Sequence, residues 1–260
     1  MTLQTPETAD RLRQGDLSHF SLWVRDVARA ATFFSAVLGW RYGTSGPDDS
    51  RLVEAASTSL GISELRGASA FMRQMGMPLP DQLEPTTYPV FVVDDITATV
   101  QRVRAAGGWA GEPVQQPYGL VAACTDDQGL PFSVHQAPTD MPAPRPPASG
   151  GHHGDIAYLA FETPDVERGR AFLGAALGLQ FSPGRTPGGW NITDMVPMAG
   201  LSGGHQRPTI VPMFRVDDIH AAVERVRAAG GTSGEPVFEG YGTRAVCVDD
   251  QGTRFMLGQF

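Results

Sequence analysis

Two copies of one sequence block occupy most of this chain, and this repeat constrains the fold more than any other feature. The copies align without a gap at a constant offset of 123 positions, and well over half of the positions match. The first copy, 91–134, reads FVVDDITATVQRVRAAGGWAGEPVQQPYGLVAACTDDQGLPFSV, and the second, 214–257, reads FRVDDIHAAVERVRAAGGTSGEPVFEGYGTRAVCVDDQGTRFML. Solenoid repeats have units of about 20–50 residues. The longer spacing predicts two copies of a whole domain.

A second matched block extends the repeat towards the N-terminus. Residues 19–40 align with 158–179 at an offset of 139, so the first copy holds 16 extra residues within 41–89. The segment that follows the first copy is rich in Pro, Ala and Gly, which is typical of a semi-rigid linker. The predicted organisation is a first module at 16–137, a linker at 138–152 and a second module at 153–260.

Charge and composition exclude several classes of partner. The formal net charge is −8, and no cluster of Lys or Arg supplies the basic face that nucleic acids or anionic membranes require. No apolar run approaches the ~20 residues of a membrane span. The first 16 residues lack the pattern of a secretory signal, which predicts a cytoplasmic protein. A monomer and a homodimer are both compatible with the sequence.

The pattern along one copy predicts a strand, a helix and then several strands. Leu17–Val24 has the composition of a strand, Asp26 is placed to cap a helix, and Gly39 is placed to end it. The segment 41–73 contains three strand-like pieces, RLVEAAS, GISELRG and ASAFMR. With the strands that follow, each copy predicts two βαβββ units. This order favours the α+β class, with curved, mainly antiparallel mixed sheets and helices outside.

These residues resemble a known family. The segments HFSLWVRDVARAATFFSAVLGW, VFVVDDITATVQRVRAAGG and EPVQQPYGLVAACTDDQGLPF look like the vicinal-oxygen-chelate superfamily, which includes glyoxalase I, extradiol dioxygenases and the fosfomycin- and bleomycin-resistance proteins. The tandem form resembles actinobacterial two-module proteins that are labelled glyoxalase-like or hydroxylase. The resemblance covers both copies and implies two cup-shaped modules that each surround a small molecule. The fold alone does not define the chemistry.

The resemblance also implies where a metal would bind. In metal-dependent members the ligands, usually His, His and Glu, begin the strand before the first helix, begin the strand before the second helix and lie in the last strand. Here these places hold His19, Tyr88 and Ser133 in the first copy and Tyr158, Val211 and Met256 in the second. Of the six, only His19 is a good ligand. The sequence therefore predicts no metal and no other cofactor, although a register shifted by two residues would join His19 and His135 to Glu54 or Glu64.

Alternation along the strands predicts which side chains line the cups. His19 occupies the inward position of the family, so residues two apart from it face the same way. Such Trp, Tyr and Met side chains suit a flat aromatic ligand. The predicted ligand-binding residues are His19, Ser21, Trp23, Tyr88, Val90, Ser133, His135, Tyr158, Glu162, Trp190, Met195, Val211, Met213 and Met256. The competing interpretation is that these residues pack closed cores.

Three functional hypotheses follow, and they differ in chemistry. The favoured hypothesis is metal-independent binding of an aromatic or polyketide-like metabolite or antibiotic for sequestration, resistance or presentation. The second is a metal-free enzyme of natural-product biosynthesis, performing cyclisation, isomerisation or oxygenation, with His19 as general acid or base and Tyr88 as donor to an oxyanion. The third, a metal-dependent lyase or dioxygenase, is disfavoured by the missing ligands.

Overall fold

The computed structural model describes residues 11–43, 48–78, 83–140 and 143–260. The described chain forms two mixed β-sheets with helices packed against them, which confirms the predicted α+β class. The first sheet consists of β1 (Leu17–Val24), β2 (Ser50–Leu52), β3 (Ser59–Glu64), β4 (Thr86–Val92), β5 (Trp109–Ala110), β6 (Val114–Gln116), β7 (Gly119–Thr125) and β8 (Pro131–Gln136). Its segment of the chain carries α1 (Val27–Leu38), α2 (Leu65–Gln74) and α3 (Ile96–Ala105).

The second sheet repeats this arrangement with an additional strand and without a counterpart of α2. Its strands are β9 (Ile156–Glu162), β10 (Gln180–Pro183), β11 (Trp190–Thr193), β12 (Met198–Ser202), β13 (Thr209–Arg215), β14 (Thr232–Ser233), β15 (Val237–Phe238), β16 (Thr243–Val248) and β17 (Arg254–Gln259). Its helices are α4 (Val166–Leu177) and α5 (Ile219–Ala228). No helix in the described segments has the length and apolar character needed to cross a membrane.

Both sheets have the same central topology. The first has the order β2-β3-β1-β4-β8-β7-β5, with β6 paired to β7, and the second has the order β10-β11-β12-β9-β13-β17-β16-β14, with β15 paired to β16. Strand β1 lies antiparallel to β4, which precedes α3, and parallel to β3 on its other side. Strand β9 likewise lies antiparallel to β13, which precedes α5, and parallel to β12. The cup predicted from the sequence corresponds to the face of these central strands that carries His19.

Local sequence signals explain where the helices begin and end. The Asp26 carboxylate accepts a hydrogen bond from Arg29 N at 2.9 Å, and Asp95 does the same for Ala98 N at 2.9 Å. These contacts satisfy amide groups that have no partner inside the helix. Gly39 ends α1 with φ 68°, a left-handed conformation that glycine adopts without a steric penalty. The predicted cap and stop of α1 are therefore confirmed.

The extra segment of the first copy differs from its prediction. The piece ASAFMR, predicted as a strand, lies inside α2. Leu65, Ala68, Met72 and Met75 recur at helical spacing and turn one side of this helix towards the first sheet, where Ala68, Met72 and Met75 are buried. The strand prediction was wrong because the short windows showed apolar content without showing this period.

The two modules share one hydrophobic core. Phe33 in α1 contacts Phe255 of the second sheet at a ring distance of 6.1 Å, and Phe172 in α4 contacts Phe132 of the first sheet at 6.3 Å. One continuous cluster of buried apolar residues includes side chains from both modules. Each module therefore contributes a helix that helps to cover the sheet of the other.

The repeated DDQG turns join the modules through polar contacts. Gln251 receives a hydrogen bond from Asp26 N at 2.8 Å and donates to Asp26 O at 3.0 Å. Gln128 makes the equivalent pair of bonds to Asp165, at 2.8 and 3.0 Å. Each turn of one module thus binds the residue that caps the first helix of the other.

The segment between the modules is tied to both by an ion pair. Arg145 donates from Nε and Nη2 to the Asp16 carboxylate at 2.8 and 3.1 Å, and the side chain of Asp16 is only 1% exposed. The same carboxylate accepts a bond from Val196 N of the second module at 2.9 Å. Asp16 therefore connects the first module, the connecting segment and the second module.

Candidate functional site

One cavity on the cup face of the first sheet contains all seven residues predicted for that cup. The strand register places His19 beside Ser59 and Val90, and Val90 beside Ser133. Partners in a sheet direct their side chains to the same face. The cavity has a volume of about 1210 Å³. The predicted residues that line it are His19, Ser21, Trp23, Tyr88, Val90, Ser133 and His135.

One wall of the cavity is aromatic. The rings of Trp23 and Tyr88 stack with centroids 4.3 Å apart and planes 12° apart, while Phe71 meets Tyr88 edge-on at 6.0 Å. Phe71 belongs to α2, so the extra segment of the first copy supplies part of the site. Sequence reasoning missed Phe71. Its position four residues before Met75, in a segment that the second copy lacks, was the available signal.

The floor of the cavity is small and hydroxylated. Gly61 leaves room for the His19 ring, since a Cβ at Gly61 would lie 3.4 Å from His19 Cε1 and 3.2 Å from the carbonyl oxygen of Arg51. The serines that line the cavity are Ser18, Ser21, Ser50, Ser59, Ser63 and Ser133. The prediction named only Ser21 and Ser133. The other serines were not predicted because the register of their strands is known only from the tertiary structure.

His19 is held in its neutral form. Its Nδ1 lies 2.8 Å from Ser59 Oγ, and burial, with a contribution from nearby His135, lowers its pKa from 6.5 to about 4. An imidazole with that pKa carries a proton in only about one molecule in a thousand at neutral pH. His135 Nε2 lies 2.9 Å from the Tyr118 carbonyl oxygen, to which it donates. The cup therefore presents a neutral imidazole at its centre.

The Tyr88 hydroxyl is already engaged by the protein. It donates to the Phe132 carbonyl oxygen at 3.0 Å and lies 2.8 Å from Ser133 Oγ, from which it accepts. Burial raises the pKa of Tyr88 above its ordinary value. Because the phenol has a single proton, this geometry leaves none for the predicted bond to an oxyanion. Tyr88 contributes its ring face to the cavity.

The charged residues that line the first cup are Arg11, Asp49 and Asp94. Arg11 and Asp94 are exposed, whereas Asp49 is half-buried. The Asp49 carboxylate packs against α2, where a Cβ on Gly67 would lie 2.7 Å from Asp49 Oδ2. With His19 neutral, the lining holds two carboxylates and one guanidinium. Sequence reasoning did not assign these three residues to the cup.

The second cup is filled by its own side chains. Register places Met198 beside Tyr158, Tyr158 beside Met213, and Met213 beside Met256, across four neighbouring strands. Val211, Met213 and Met256 form a buried cluster against which Tyr158 packs. The Tyr158 hydroxyl lies over Gly200, where a Cβ would be only 2.0 Å away. This part of the second cup matches the competing interpretation of a closed core.

Glu162 and Arg254 cover the other end of the second cup. The Glu162 carboxylate accepts two hydrogen bonds from Arg254, at 2.7 and 2.9 Å. Glu162 was expected on this face. Trp190 and Met195 were expected there too, but both pack on the opposite, core side of the sheet. Trp190 shares the face of Leu201, its strand partner. On that face the guanidinium of Arg170 in α4 lies 3.8 Å from the Trp190 ring centre.

Neither cup offers a set of donors that fits the metal of the family. At the expected places the first cup has the His19 imidazole, which bonds to Ser59, one engaged phenol and one serine, and the second has Tyr158, Val211 and Met256. Among the residues that the structure describes, no three His, Cys, Asp or Glu side chains converge on one point. Glu64 pairs with Arg66 and does not line the cavity. The chemistry of these donors argues against a resident divalent ion.

Comparison with known proteins agrees with the fold. Residues 16–134 match the family model described as Glyoxalase/Bleomycin resistance protein/Dioxygenase superfamily. The anthracycline biosynthesis protein DauV of Streptomyces sp. (strain C5) is 28% identical over 272 positions, which cover 95% of this chain and 94% of that protein.

Two solved structures share the architecture at low sequence identity. The Mn(II)-bound glyoxalase from Novosphingobium aromaticivorans has a TM-score of 0.67 at 16% identity, and the match covers 95% of this chain and 82% of that one. Homoprotocatechuate 2,3-dioxygenase from Brevibacterium fuscum, in complex with 3,4-dihydroxyphenylacetate, has a TM-score of 0.67 at 15% identity, with 98% and 83% covered. Residues 16–134 are thus similar to the glyoxalase/bleomycin resistance protein/dioxygenase superfamily, and the whole chain shares the fold of these two solved structures.

Proposed function

We propose that this protein binds a flat, hydroxylated aromatic molecule of the polyketide kind in the first cup, without a metal ion. One observation carries the proposal. The first cup is open, with a volume of about 1210 Å³, and combines an aromatic wall with a floor of serine hydroxyls and a neutral imidazole. Ligand pockets commonly have volumes of about 300–1,000 Å³. A fused-ring molecule with polar edges suits both the size and the lining.

The relatives support the same ligand class. DauV is described as an anthracycline biosynthesis protein, and the similarity extends over nearly the full length of both chains. The likeness to the solved dioxygenases concerns the fold alone. Support for a fused-ring aromatic ligand therefore comes from the Trp23, Tyr88 and Phe71 wall together with the context of DauV.

Binding has more support than metal-free catalysis. A general base is most effective when its pKa lies near the working pH, and His19 has a pKa of about 4. The phenolic proton of Tyr88 is directed at Phe132 O. A neutral His19 still suits recognition, since its free ring nitrogen can exchange one hydrogen bond with a ligand hydroxyl or carbonyl group.

Calorimetric titration with a dihydroxyanthraquinone tests this function. The expected result is one ligand bound per chain, with an affinity that excess chelator does not change. Ser133→Met introduces the residue that the second cup has at the equivalent place, Met256. The larger side chain should fill part of the first cup and weaken binding at least about tenfold. Ser182→Met, the same change on the edge strand β10 of the second sheet, is the matched control and should bind as the wild type does.

Three outcomes would count against the proposal. The first is an absence of binding across a panel of two-, three- and four-ring aromatics. The second is an affinity that depends on an added divalent ion, which would indicate the metal-dependent hypothesis. The third is turnover of a bound probe that His19→Ala abolishes while binding persists, which would favour the metal-free enzyme.

A further inference from the structure

Three side chains of the second module form a chain of contacts that the first cup lacks. Ser202 Oγ lies 3.0 Å from His205 Nε2, and His205 Nδ1 lies 3.4 Å from Glu162 Oε2. Ser202 ends β12 and Glu162 ends β9, where the two residues are strand partners. The connectivity, serine to Nε2 and carboxylate to Nδ1, is that of a nucleophile, its base and the acid that orients the base.

The positions of these groups fit such a role. The Glu162 side chain is 12% exposed and is held by two bonds from Arg254, so its carboxylate stays in one place. The His205 side chain is 33% exposed, and Ser202 is half-buried, so both can be reached from solvent. Gly203 and Gly204 follow Ser202 and bring the chain back within three residues to His205, whose N–H binds Thr163 O at 3.2 Å.

The first module provides an internal comparison. His19 and Ser59 form a similar pair with a separation of 2.8 Å, but the contact uses Nδ1, and burial, with a smaller contribution from His135, lowers the His19 pKa. A carboxylate on Nδ1 favours the tautomer in which Nε2 accepts a proton. Of these two serine–histidine pairs, only Ser202 with His205 has that carboxylate.

We propose that Ser202 is a nucleophilic serine that accepts an acyl group from an ester. Ser202 Oγ attacks the carbonyl carbon while His205 Nε2 takes the hydroxyl proton. The carbon–oxygen bond to the alcohol then breaks, and the alcohol leaves with the proton from His205. Water, deprotonated by His205, hydrolyses the acyl-serine to a carboxylic acid and restores Ser202. The site lies at the end of the second cup that methionines do not fill, and it is independent of the ligand bound by the first cup.

Covalent labelling with an alkyl fluorophosphonate tests the proposal. Ser202 Oγ forms a bond to phosphorus as fluoride leaves, and peptide mapping should locate the adduct on Ser202 and not on Ser59. His205→Ala should slow labelling about a hundredfold, and Glu162→Gln should slow it about tenfold. Ser182→Ala, a serine of the same module outside the contact chain, should label as the wild type does.

Two further measurements separate a chemical role from a structural one. Added imidazole should restore part of the labelling rate of His205→Ala, which a folding defect would not allow. Circular dichroism should show that each variant retains the wild-type fold. The proposal is overturned if Ser202 stays unmodified in the folded wild-type protein. It is also overturned if His205→Ala labels at the wild-type rate. Hydrolysis of p-nitrophenyl acetate should follow the same order of variants as labelling.

Discussion

Ser133 and Met256 occupy equivalent places in the two modules, and the difference between them illustrates how single residues decide whether a cup is open. The Ser133 side chain is small and its hydroxyl bonds to Tyr88, so the cavity beside Ser133 stays open. Met256 extends into the second cup beside Met213. At the places of Ser59 and Val90 the second module has Met198 and Met213. Met213 and Met256 are buried in the second cup, where the first cup leaves its volume free, whereas Met198 stays 41% exposed at the edge of this face.

The titration of His19 predicts a pH dependence of stability. The folded pKa of about 4 lies below the ordinary value of 6.5, so the unfolded chain binds a proton first as the pH falls. The stabilisation that neutral His19 contributes to the free energy of unfolding is therefore fully present above pH 6.5. It is lost progressively as the pH falls from 6.5 to 4, by up to about 1.4 kcal/mol per pH unit. Urea unfolding of His19→Gln across this range should show a shallower pH dependence than the wild type. Parallel curves would contradict the shifted pKa.

The engaged hydroxyl of Tyr88 predicts a split between stability and binding. Tyr88→Phe removes the bonds to Phe132 O and Ser133 while it keeps the ring that stacks on Trp23. The free energy of unfolding should fall by about 1–2 kcal/mol, and the affinity for a dihydroxyanthraquinone should change by less than about threefold. A large loss of affinity with unchanged stability would show that the hydroxyl faces the ligand instead.

At the scale of elements, the caps of α1 and α3 were predictable because they depend on residues close in sequence. Asp26 and Asp95 each bind an amide three residues later. Helix α2 was missed although its apolar residues have helical spacing, because the short windows favoured strands. The contact of each DDQG turn with the other module was not predictable, since the partners Asp26 and Gln251 are 225 positions apart.

The paired turns predict unequal effects for two equivalent substitutions. Gln251 is 8% exposed and bonds to both backbone groups of Asp26, so Gln251→Ala removes the partner of Asp26 N, while Asp26 O keeps its bond from Ala30 N. We expect a loss of about 2 kcal/mol in the free energy of unfolding. Gln128 makes the same bonds in a more exposed place, and Gln128→Ala should cost less. Chemical denaturation of both variants measures the difference, and equal losses would show that burial does not control it.

At the scale of the whole molecule, the shared core and the Asp16–Arg145 pair predict a single cooperative unit. Arg145→Ala would leave the Asp16 carboxylate buried without its main cation, and removing one partner of a buried pair costs about 3–5 kcal/mol. Calorimetry should show one unfolding transition in the wild type and one transition at lower temperature in Arg145→Ala. Two resolved transitions would indicate that the modules unfold separately. The repeat predicted two modules. It did not predict that each module contributes a helix that covers the sheet of the other within one shared core.

The reciprocal contacts of the two DDQG turns have a consequence for how the chain can change. If two identical one-module chains met in this way, each substitution in a cup would appear twice, and a change that blocked one cup would block both. When the two modules belong to one polypeptide, each can acquire substitutions without the same substitution appearing in the other. Methionines can therefore fill the cup of the second module, which still covers the first module with its helix, while serines keep the cup of the first module open to a ligand.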